Sequence, residues 1–503
     1  MKKGIFLSIL SGLLLIFSFP SFNLWIFAWF AFVPLFLALE DCSKKKAFLL
    51  SYLAGIVFWL GTIYWLVHVT LAGMLLLVLY LALYFGVFGL IISQSRRLPV
   101  ICLLFFLPSV WVLLEYLRSH LFTGFGWALL AHSQYLNLPA IQIADITGAY
   151  GVSFILLMAN AGIKELVIFA RRGGDRKKSA AAILLCLAMI GGVFFYGYLR
   201  LNIIRQKALY ASLRVSVIQG NIAQHLKWRP IAKNYILRKY LDLSLEAGGS
   251  NPDVMIWPEA SLPAVVEQEP FFFEAARRLS DDMGIPLLVG AVTLRDGIYY
   301  NSAFLITSYQ QEPTRYDKLH LVPFGEYIPL KNFFSFLETI VPIGDFSPGR
   351  EYAVFTLPGA RSQGPVRFSV LICFEDLFPQ LSRRFVAKGA DFLVNITNDA
   401  WFGESSAPYQ HLSASVLRAV ENRVPLVRAA NTGVSGFISA EGRIISLAED
   451  NRGKNIFIEG YLNDEINILR GGPAFYTRFG DLAILVCLIL AFYGIVRILR
   501  GER

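Results

Sequence analysis

The chain has 503 residues, a hydrophobic content of 55%, only 16% charged residues, a mean hydropathy of +0.54 and a formal net charge of +10. That length exceeds one ordinary domain, and the composition is that of a membrane protein, since soluble domains carry roughly 25% charged residues. The positive charge does not mark a nucleic-acid binder: the basic residues fall in short runs between apolar segments, not along a stripe interleaved with aromatics.

In chain order, seven apolar stretches are predicted spans, at about 4–20, 23–40, 46–67, 71–93, 99–117, 150–170 and 179–199, and an eighth lies at 479–499. Most reach the roughly 20 residues that a helix needs to cross the bilayer core; the first two are short and read as tilted or partly re-entrant. Lys2 and Lys3 precede span one, Lys44 to Lys46 separate spans two and three, and Arg96 and Arg97 separate four and five. Arg171, Arg172, Arg176, Lys177 and Lys178 separate six and seven, and Arg497, Arg500 and Arg503 close the chain. The short loops around Ser21 and Val69 carry no Lys or Arg. Every second loop is basic, which is the positive-inside pattern for eight spans with both termini cytoplasmic.

The expected organisation is therefore 1–199 with spans one to seven, 200–477 as an extracytoplasmic domain, and 478–503 with the eighth span and a cytoplasmic tail. Stretch 4–20 has the basic start and apolar run of a signal peptide. It ends at Ser18-Phe19-Pro20 with no small-residue cleavage pattern, and another span follows at once, so it is expected to be retained. Between Arg118 and Asp145 the chain is uncharged and includes Thr123-Gly-Phe-Gly-Trp127 and Tyr135. This loop has two readings, an interfacial dip anchored by its aromatics or packing under the external domain. Glu115, near the outer end of span five, is either a functional intramembrane carboxylate or an ion-pair partner of Arg118, with the pairing favoured.

Within 200–477, short runs rich in large apolar and β-branched residues read as strands buried on both faces: 214–220, 253–257, 286–290, 368–373 and 391–395. Segments 230–247, 269–284, 377–389 and 408–423 have helical spacing with polar faces. The class is α/β, in which strand ends feed functional loops.

Of five cysteines, none lies in a metal-type spacing, and only Cys373 falls in the external domain. A lone cysteine is usually a small buried hydrophobe. Cys373 differs because it ends an apolar strand and precedes Phe374, Glu375 and Asp376, where a parallel strand delivers residues to a ligand crevice. A thiol is mostly protonated near neutral pH, so its use as a nucleophile requires a base and a nearby cation. Two segments offer them: Met255-Ile-Trp-Pro-Glu259-Ala-Ser261 just past a strand, and Tyr316-Asp-Lys318 continuing through a Pro/Gly loop to Glu326. The histidines form no HExxH or other metal pair, and Gly433-Val-Ser-Gly436 is one residue short of a serine-hydrolase elbow.

In this order and at strand ends, Trp257-Pro-Glu259, the run Tyr316 to Glu326, and Cys373-Phe-Glu375 resemble the Glu–Lys–Cys signature of the nitrilase, or carbon–nitrogen hydrolase, superfamily. Gln219-Gly-Asn221, Lys227-Trp228, Phe324-Gly-Glu326, Asn398-Asp-Ala-Trp-Phe-Gly403 and Asn431-Thr-Gly433 extend the likeness. With eight spans and the domain inserted before the last, the match narrows to the apolipoprotein N-acyltransferase family. The resemblance implies an αββα sandwich, Glu259 as general base, Lys318 as the cation by the oxyanion and Cys373 as nucleophile. It also implies Glu326 and Glu375 as supporting carboxylates, and Trp228, Trp401 and Phe374 at the acyl site. Phe374 stands where a hydroxylated aromatic is common, and Gly126 where proline is common.

The implied reaction takes an acyl chain from a membrane phospholipid, holds it as a cysteine thioester and passes it to the α-amino group of a diacylglyceryl-cysteine apolipoprotein. The implied setting is the bacterial inner membrane, with a periplasmic catalytic domain, a monomer, and no metal or cofactor. Two rivals are a membrane-tethered amidase acting on a small C–N substrate and a transporter with an external binding module. The near absence of ionisable residues in the spans speaks against the transporter.

Overall fold

The computed structural model describes residues 2–172, 176–207, 209–310, 312–323, 325–327, 346–358, 364–469 and 471–500. The chain divides into a helical unit of Met1–Arg205, Ser405–Leu417 and Ala474–Arg503, and an α/β unit of Gln206–Glu404 and Arg418–Pro473.

In the helical unit, five helices among the described residues are long and apolar enough to cross a membrane: Leu71–Arg97, Val100–His120, Ala144–Arg171, Arg176–Arg205 and Leu482–Arg500. Helices Lys2–Ser18 and Lys44–Thr62 accompany them. The stretch expected as span two is instead a 3₁₀ turn, Trp25–Trp29, followed by a short helix, Val33–Ala38. Pro34 sits in the first turn of that short helix, where its missing N–H costs nothing but where no helix can run through from upstream. The backbone groups freed by the break are met by side chains. Asn160 accepts from the Phe32 N–H at 2.7 Å and donates to the Ala28 carbonyl at 2.8 Å, and Gln134 donates to the Trp25 carbonyl at 2.9 Å. Irregular backbone in an apolar setting persists only with such partners.

Residues 126–135 of the loop after His120 are buried, with Trp127 and Tyr135 3% and 5% exposed, while Phe122 at its start is 83% exposed. The Trp127 indole N–H donates to Gln410 Oε1 at 2.6 Å, and Tyr135 donates to Asn23 at 3.0 Å. Glu115 and Arg118, expected as a pair, act on each other's charge, and both also bond this loop. Arg118 donates to the carbonyls of Phe125 and Trp127 at 2.8 and 2.7 Å, while Glu115 accepts from the Leu130 N–H at 2.8 Å. The reason is geometric: a loop turning back over a helix end presents backbone donors and acceptors that burial obliges something to satisfy.

In the α/β unit, strands β1 (Leu209–Gln219), β2 (Val254–Ile256), β3 (Leu287–Arg295), β4 (Ile298–Ile306) and β5 (Thr314–Asp317) join β12 (Gly460–Leu469) in the order β12-β1-β2-β3-β4-β5. Strands β6 (Phe355–Leu357), β7 (Val366–Ile372), β8 (Phe392–Thr397), β9 (Leu426–Ala430), β10 (Gly436–Ile438) and β11 (Ile444–Leu447) form the second sheet, β11-β10-β9-β8-β7-β6. Each sheet has three parallel strands at its centre, β1-β2-β3 and β7-β8-β9, and antiparallel strands outside them.

The five predicted strands are β1, β2, β3, β7 and β8, and the four predicted helices are Lys233–Gly248, Pro270–Met283, Pro379–Ala387 and Ala407–Asn422. Helices Lys233–Gly248 and Pro270–Met283 cover the first sheet, with Ile236, Tyr240, Leu243, Phe273, Ala276 and Leu279 packed on Met255, Trp257, Leu287 and Val289. Tyr240 stacks on Trp257 at 5.0 Å, and the Trp257 indole donates to Ser244 at 2.8 Å, so the strand that precedes Glu259 is anchored by its largest side chain. On the second sheet Phe355, Phe368 and Phe392 stack in a row at 5.1 and 5.0 Å, which fixes the register of β6, β7 and β8. The sheets meet through β1 against β9 and β4 against β7. This is a nitrilase-like layering of two sheets, accompanied by several apolar helices.

Candidate active site

The site is built where strands of both sheets end. β2 runs into Trp257-Pro258-Glu259, and Gly290 on the neighbouring β3 lets that turn come close. A Cβ on Gly290 would lie 2.5 Å from the Pro258 carbonyl oxygen and 2.6 Å from the Ala260 nitrogen. Glu259 is 8% exposed. Its Oε1 accepts from Asn301 Nδ2 at 2.7 Å and lies 3.6 Å from Lys318 Nζ.

Lys318 directly follows β5 and is 1% exposed. Its ammonium meets both oxygens of Glu326, at 3.0 Å to Oε1 and 2.9 Å to Oε2. Burial on its own would lower the Lys318 pKa, but the charges of Glu326 and then Glu259 outweigh it and raise it, so the ammonium stays charged. Asn301, on β4, donates the same amide Nδ2 to Glu259 at 2.7 Å and to Glu326 at 2.8 Å. One neutral side chain therefore holds two carboxylates around one lysine. Phe324, part of the motif leading to Glu326, lies outside the described residues.

Cys373 directly follows β7 with φ of 55°, in the left-handed region that costs a non-glycine residue about 1–3 kcal/mol. The conformation is held from both sides. Asn395 Nδ2 donates to the Cys373 carbonyl at 2.8 Å, and Glu375 accepts the Ile372 N–H at 2.7 Å. Burial first, then the Glu259 charge, pushes the Cys373 thiol well above its ordinary value, while the Lys318 ammonium pulls it down. The thiol is therefore protonated at rest, and use as a nucleophile would require a base beside it.

Glu375 is 0% exposed and does not serve as a free carboxylate. It accepts from the Leu319 and His320 N–H groups at 2.7 and 3.0 Å and from the Tyr316 hydroxyl at 2.8 Å. It thereby fastens the Lys318 loop to the Cys373 strand. Burial raises it to about 7, opposed by the Ile372 N–H and the Lys318 charge. Phe374 faces the same lysine, with Nζ 5.7 Å from the ring centre.

Of the residues singled out in the sequence, Glu259, Lys318, Glu326, Cys373, Glu375 and Phe374 come together. Trp228 and Trp401 are 36% and 42% exposed, on turns that follow Lys227 and Asp399. The other quoted motifs meet in a hydrogen-bonded seam between the sheets: Asn431 accepts from the Ile222 N–H at 2.8 Å and donates to Asn398 at 2.9 Å, and its carbonyl accepts from the Asn221 N–H at 2.9 Å.

Sequence reasoning missed Asn301, Asn395 and the position of Lys227, whose Nζ donates to the Glu259 carbonyl at 3.0 Å. Asn301 left a signal, a polar Asn-Ser pair inside an otherwise apolar strand. Among the described residues no cluster of His, Cys, Asp and Glu has the arrangement of a metal site.

The chain is similar to known proteins in both of its parts. Residues 11–162 match the family profile described as the apolipoprotein N-acyltransferase N-terminal domain, and residues 214–459 match the carbon–nitrogen hydrolase profile. A relative from Geobacter metallireducens named apolipoprotein N-acyltransferase is 40% identical over 505 residues, covering 97% of this chain and 93% of its own. One of the same name from Pasteurella multocida is 32% identical, covering 99% and 97%. A solved amidase of the nitrilase superfamily from Nesterenkonia AN1 aligns with a TM-score of 0.40 at 19% identity, over 56% of this chain and 98% of its own. With similarity sustained across the helical and the α/β parts alike, the chain belongs to the apolipoprotein N-acyltransferase family.

Proposed function

We propose that the chain transfers an acyl chain from a membrane phospholipid, through a thioester on Cys373, to the α-amino group of the N-terminal diacylglyceryl-cysteine of apolipoproteins, completing lipoprotein maturation. The observation that carries this reading is the cluster of Glu259, Lys318 and Glu326 tied by Asn301, acting on a thiol held in the left-handed conformation. Family membership supplies the substrates.

In the first half-reaction Glu259 takes the Sγ proton and the sulfur attacks the ester carbonyl. The oxyanion is received by the Lys318 ammonium and the Phe374 N–H, a stabilisation worth about 10²–10³ in rate per donor. Collapse breaks the acyl C–O bond, and protonated Glu259 returns its proton to the lysophospholipid alkoxide. In the second half-reaction the amine attacks the thioester, Glu259 takes the amine proton, the C–S bond breaks, the amide leaves and Glu259 returns the proton to the Cys373 sulfur. Glu326 and Glu375 support the lysine loop, and Trp228, Trp401 and Phe374 line the acyl site. No step calls for a cofactor or metal.

For the setting we propose eight passes through the inner membrane, the second made by the broken segment 23–38. Both termini would be cytoplasmic, residues 200–477 periplasmic, 1–199 and 478–503 membrane-bound, and the chain monomeric. The alternating basic loops support this arrangement. Cysteine introduced near Ser21 or in 200–477 should react with a membrane-impermeant maleimide from the periplasmic side, and cysteine near Lys45 should not; the opposite pattern defeats the topology.

The test of the reaction is incubation of the purified chain with a phospholipid labelled in its acyl chain. A labelled thioester on Cys373 that an amine acceptor discharges supports the reading. No adduct on the native chain, or discharge by water alone in the presence of acceptor, defeats it.

A further inference from the structure

Lys227 lies in the turn between β1 and the helix Lys233–Gly248, and it is 5% exposed. Buried lysines normally sit beside a carboxylate, because an ammonium removed from water without a counter-charge is costly. Lys227 donates instead to a main-chain oxygen, the Glu259 carbonyl at 3.0 Å, and uses one of its three donors in doing so. The Glu259 charge acts on it in the resting site, and a Cys373 thiolate would do the same.

Charge balance gives this placement a meaning. Lys318 is held closely by both oxygens of Glu326, whereas Glu259 is 3.6 Å away. Lys318 is thus largely matched by Glu326. A second negative charge remains in the site throughout, on Glu259 before the proton leaves the thiol and on sulfur afterwards. Lys227 is the cation that matches it in both states, since moving the proton from Sγ to Glu259 changes the place of the negative charge but not the total.

We propose that Lys227 is a positioning residue of the acyl-transfer site, fixing the Glu259 turn through its carbonyl and supplying the second positive charge shared by the Glu259 carboxylate and the Cys373 thiolate. The inference rests on the proposed roles of Glu259 and Cys373. Burial lowers Lys227 to about 8, with the Glu259 charge opposing that shift, so the charge is present at neutral pH and lost above about 8.

The experiment separates hydrogen bond from charge with full-length native chain, Lys227→Gln, Lys227→Met and Lys227→Arg in detergent. Two rates are read against pH: alkylation of Cys373 by iodoacetamide, followed by peptide mass mapping, and single-turnover acylation from labelled phospholipid. The glutamine variant can still donate to the carbonyl, yet it should lose about tenfold in both rates at pH 7, and its alkylation profile should move to higher pH. Methionine should lose at least as much, and arginine should keep part of the native profile. Native alkylation and acylation profiles in Lys227→Gln overturn the proposal. If the glutamine and methionine variants do not fold, Lys227→Arg decides: its permanent charge should hold the Cys373 profile steady through pH 8–9, where the native chain loses its second cation, and an identical curve for the two overturns the inference. Alkylation needs no lipid, so absence of any thioester on the native chain would count against the acyl-transfer reading while the alkylation profiles still judge Lys227.

Discussion

The two sheets of the α/β unit have the same plan, three parallel strands flanked by antiparallel ones, yet they contribute to the site in different ways. The first sheet supplies charge, Glu259 after β2 and Lys318 after β5, with the neutral Asn301 on β4 holding the carboxylates. The second supplies a backbone: Cys373 at φ of 55°, with its carbonyl held by Asn395 on β8 and the preceding N–H held by Glu375. Strength on the first side comes from electrostatics in a buried place, and on the second from the fixed direction in which one side chain leaves the main chain. Glu375, in the turn that follows β7 of the second sheet, fastens the lysine loop of the first, so it sets the alignment between them.

The largest effect should come from the charge side. If Lys318 is the proposed oxyanion donor, acyl transfer should fall by about 10²–10³ in Lys318→Met with Cys373 still open to alkylation. Persisting transfer would leave Lys318 a mere counter-ion to Glu326. Next is the fit between strands. A methyl on Gly290 must push the Pro258–Ala260 backbone away from β3. Gly290→Ala should lower the acylation rate by up to about a hundredfold, the scale expected for a displacement near 1 Å, with about 1–3 kcal/mol lost in denaturant melts.

Glu375 tests the link between the sides. Its folded value of about 7 is raised above an ordinary 4.5, so the fold favours the protonated form. That contribution is complete below about 4.5 and is lost as pH rises to about 7, a change of about 3 kcal/mol. Thermal scans should show the native chain losing stability across this window, and Glu375→Gln should remove that slope. The smallest effect on stability belongs to the exposed aromatics. Trp228→Ala and Trp401→Ala should change melting by less than about 0.5 kcal/mol while slowing acylation, which separates substrate contact from folding.

Much of this contrast was legible in the sequence, and the parts that were not share a cause. Apolar strands buried on both faces announce themselves as continuous runs, and so β1, β2, β3, β7 and β8 were found with the residues that end them. Strand β4 was missed because Asn301 and Ser302 interrupt its apolar pattern, and those are the residues turned to site chemistry and cross-strand pairing. β9 hides for a similar reason. Arg428 stands in its middle, and its charge is tolerated there because Asp376 lies 3.0 Å away. The broken segment after Pro20 reads as a span because hydropathy registers composition and not the side chains, such as Asn160 and Gln134, that replace helical hydrogen bonds. In each case a residue distant in sequence satisfies the polar group, and local pattern carries no record of it.

The central claim is that a thiol presented by the second sheet is acylated through charges presented by the first. The most direct measurement is the intact mass of the native chain and of Cys373→Ala after exposure to a phospholipid of single, known acyl composition. One acyl mass on the native chain, removed by hydroxylamine and absent from Cys373→Ala, is the predicted result. An adduct of equal yield on Cys373→Ala, or none on the native chain, contradicts it.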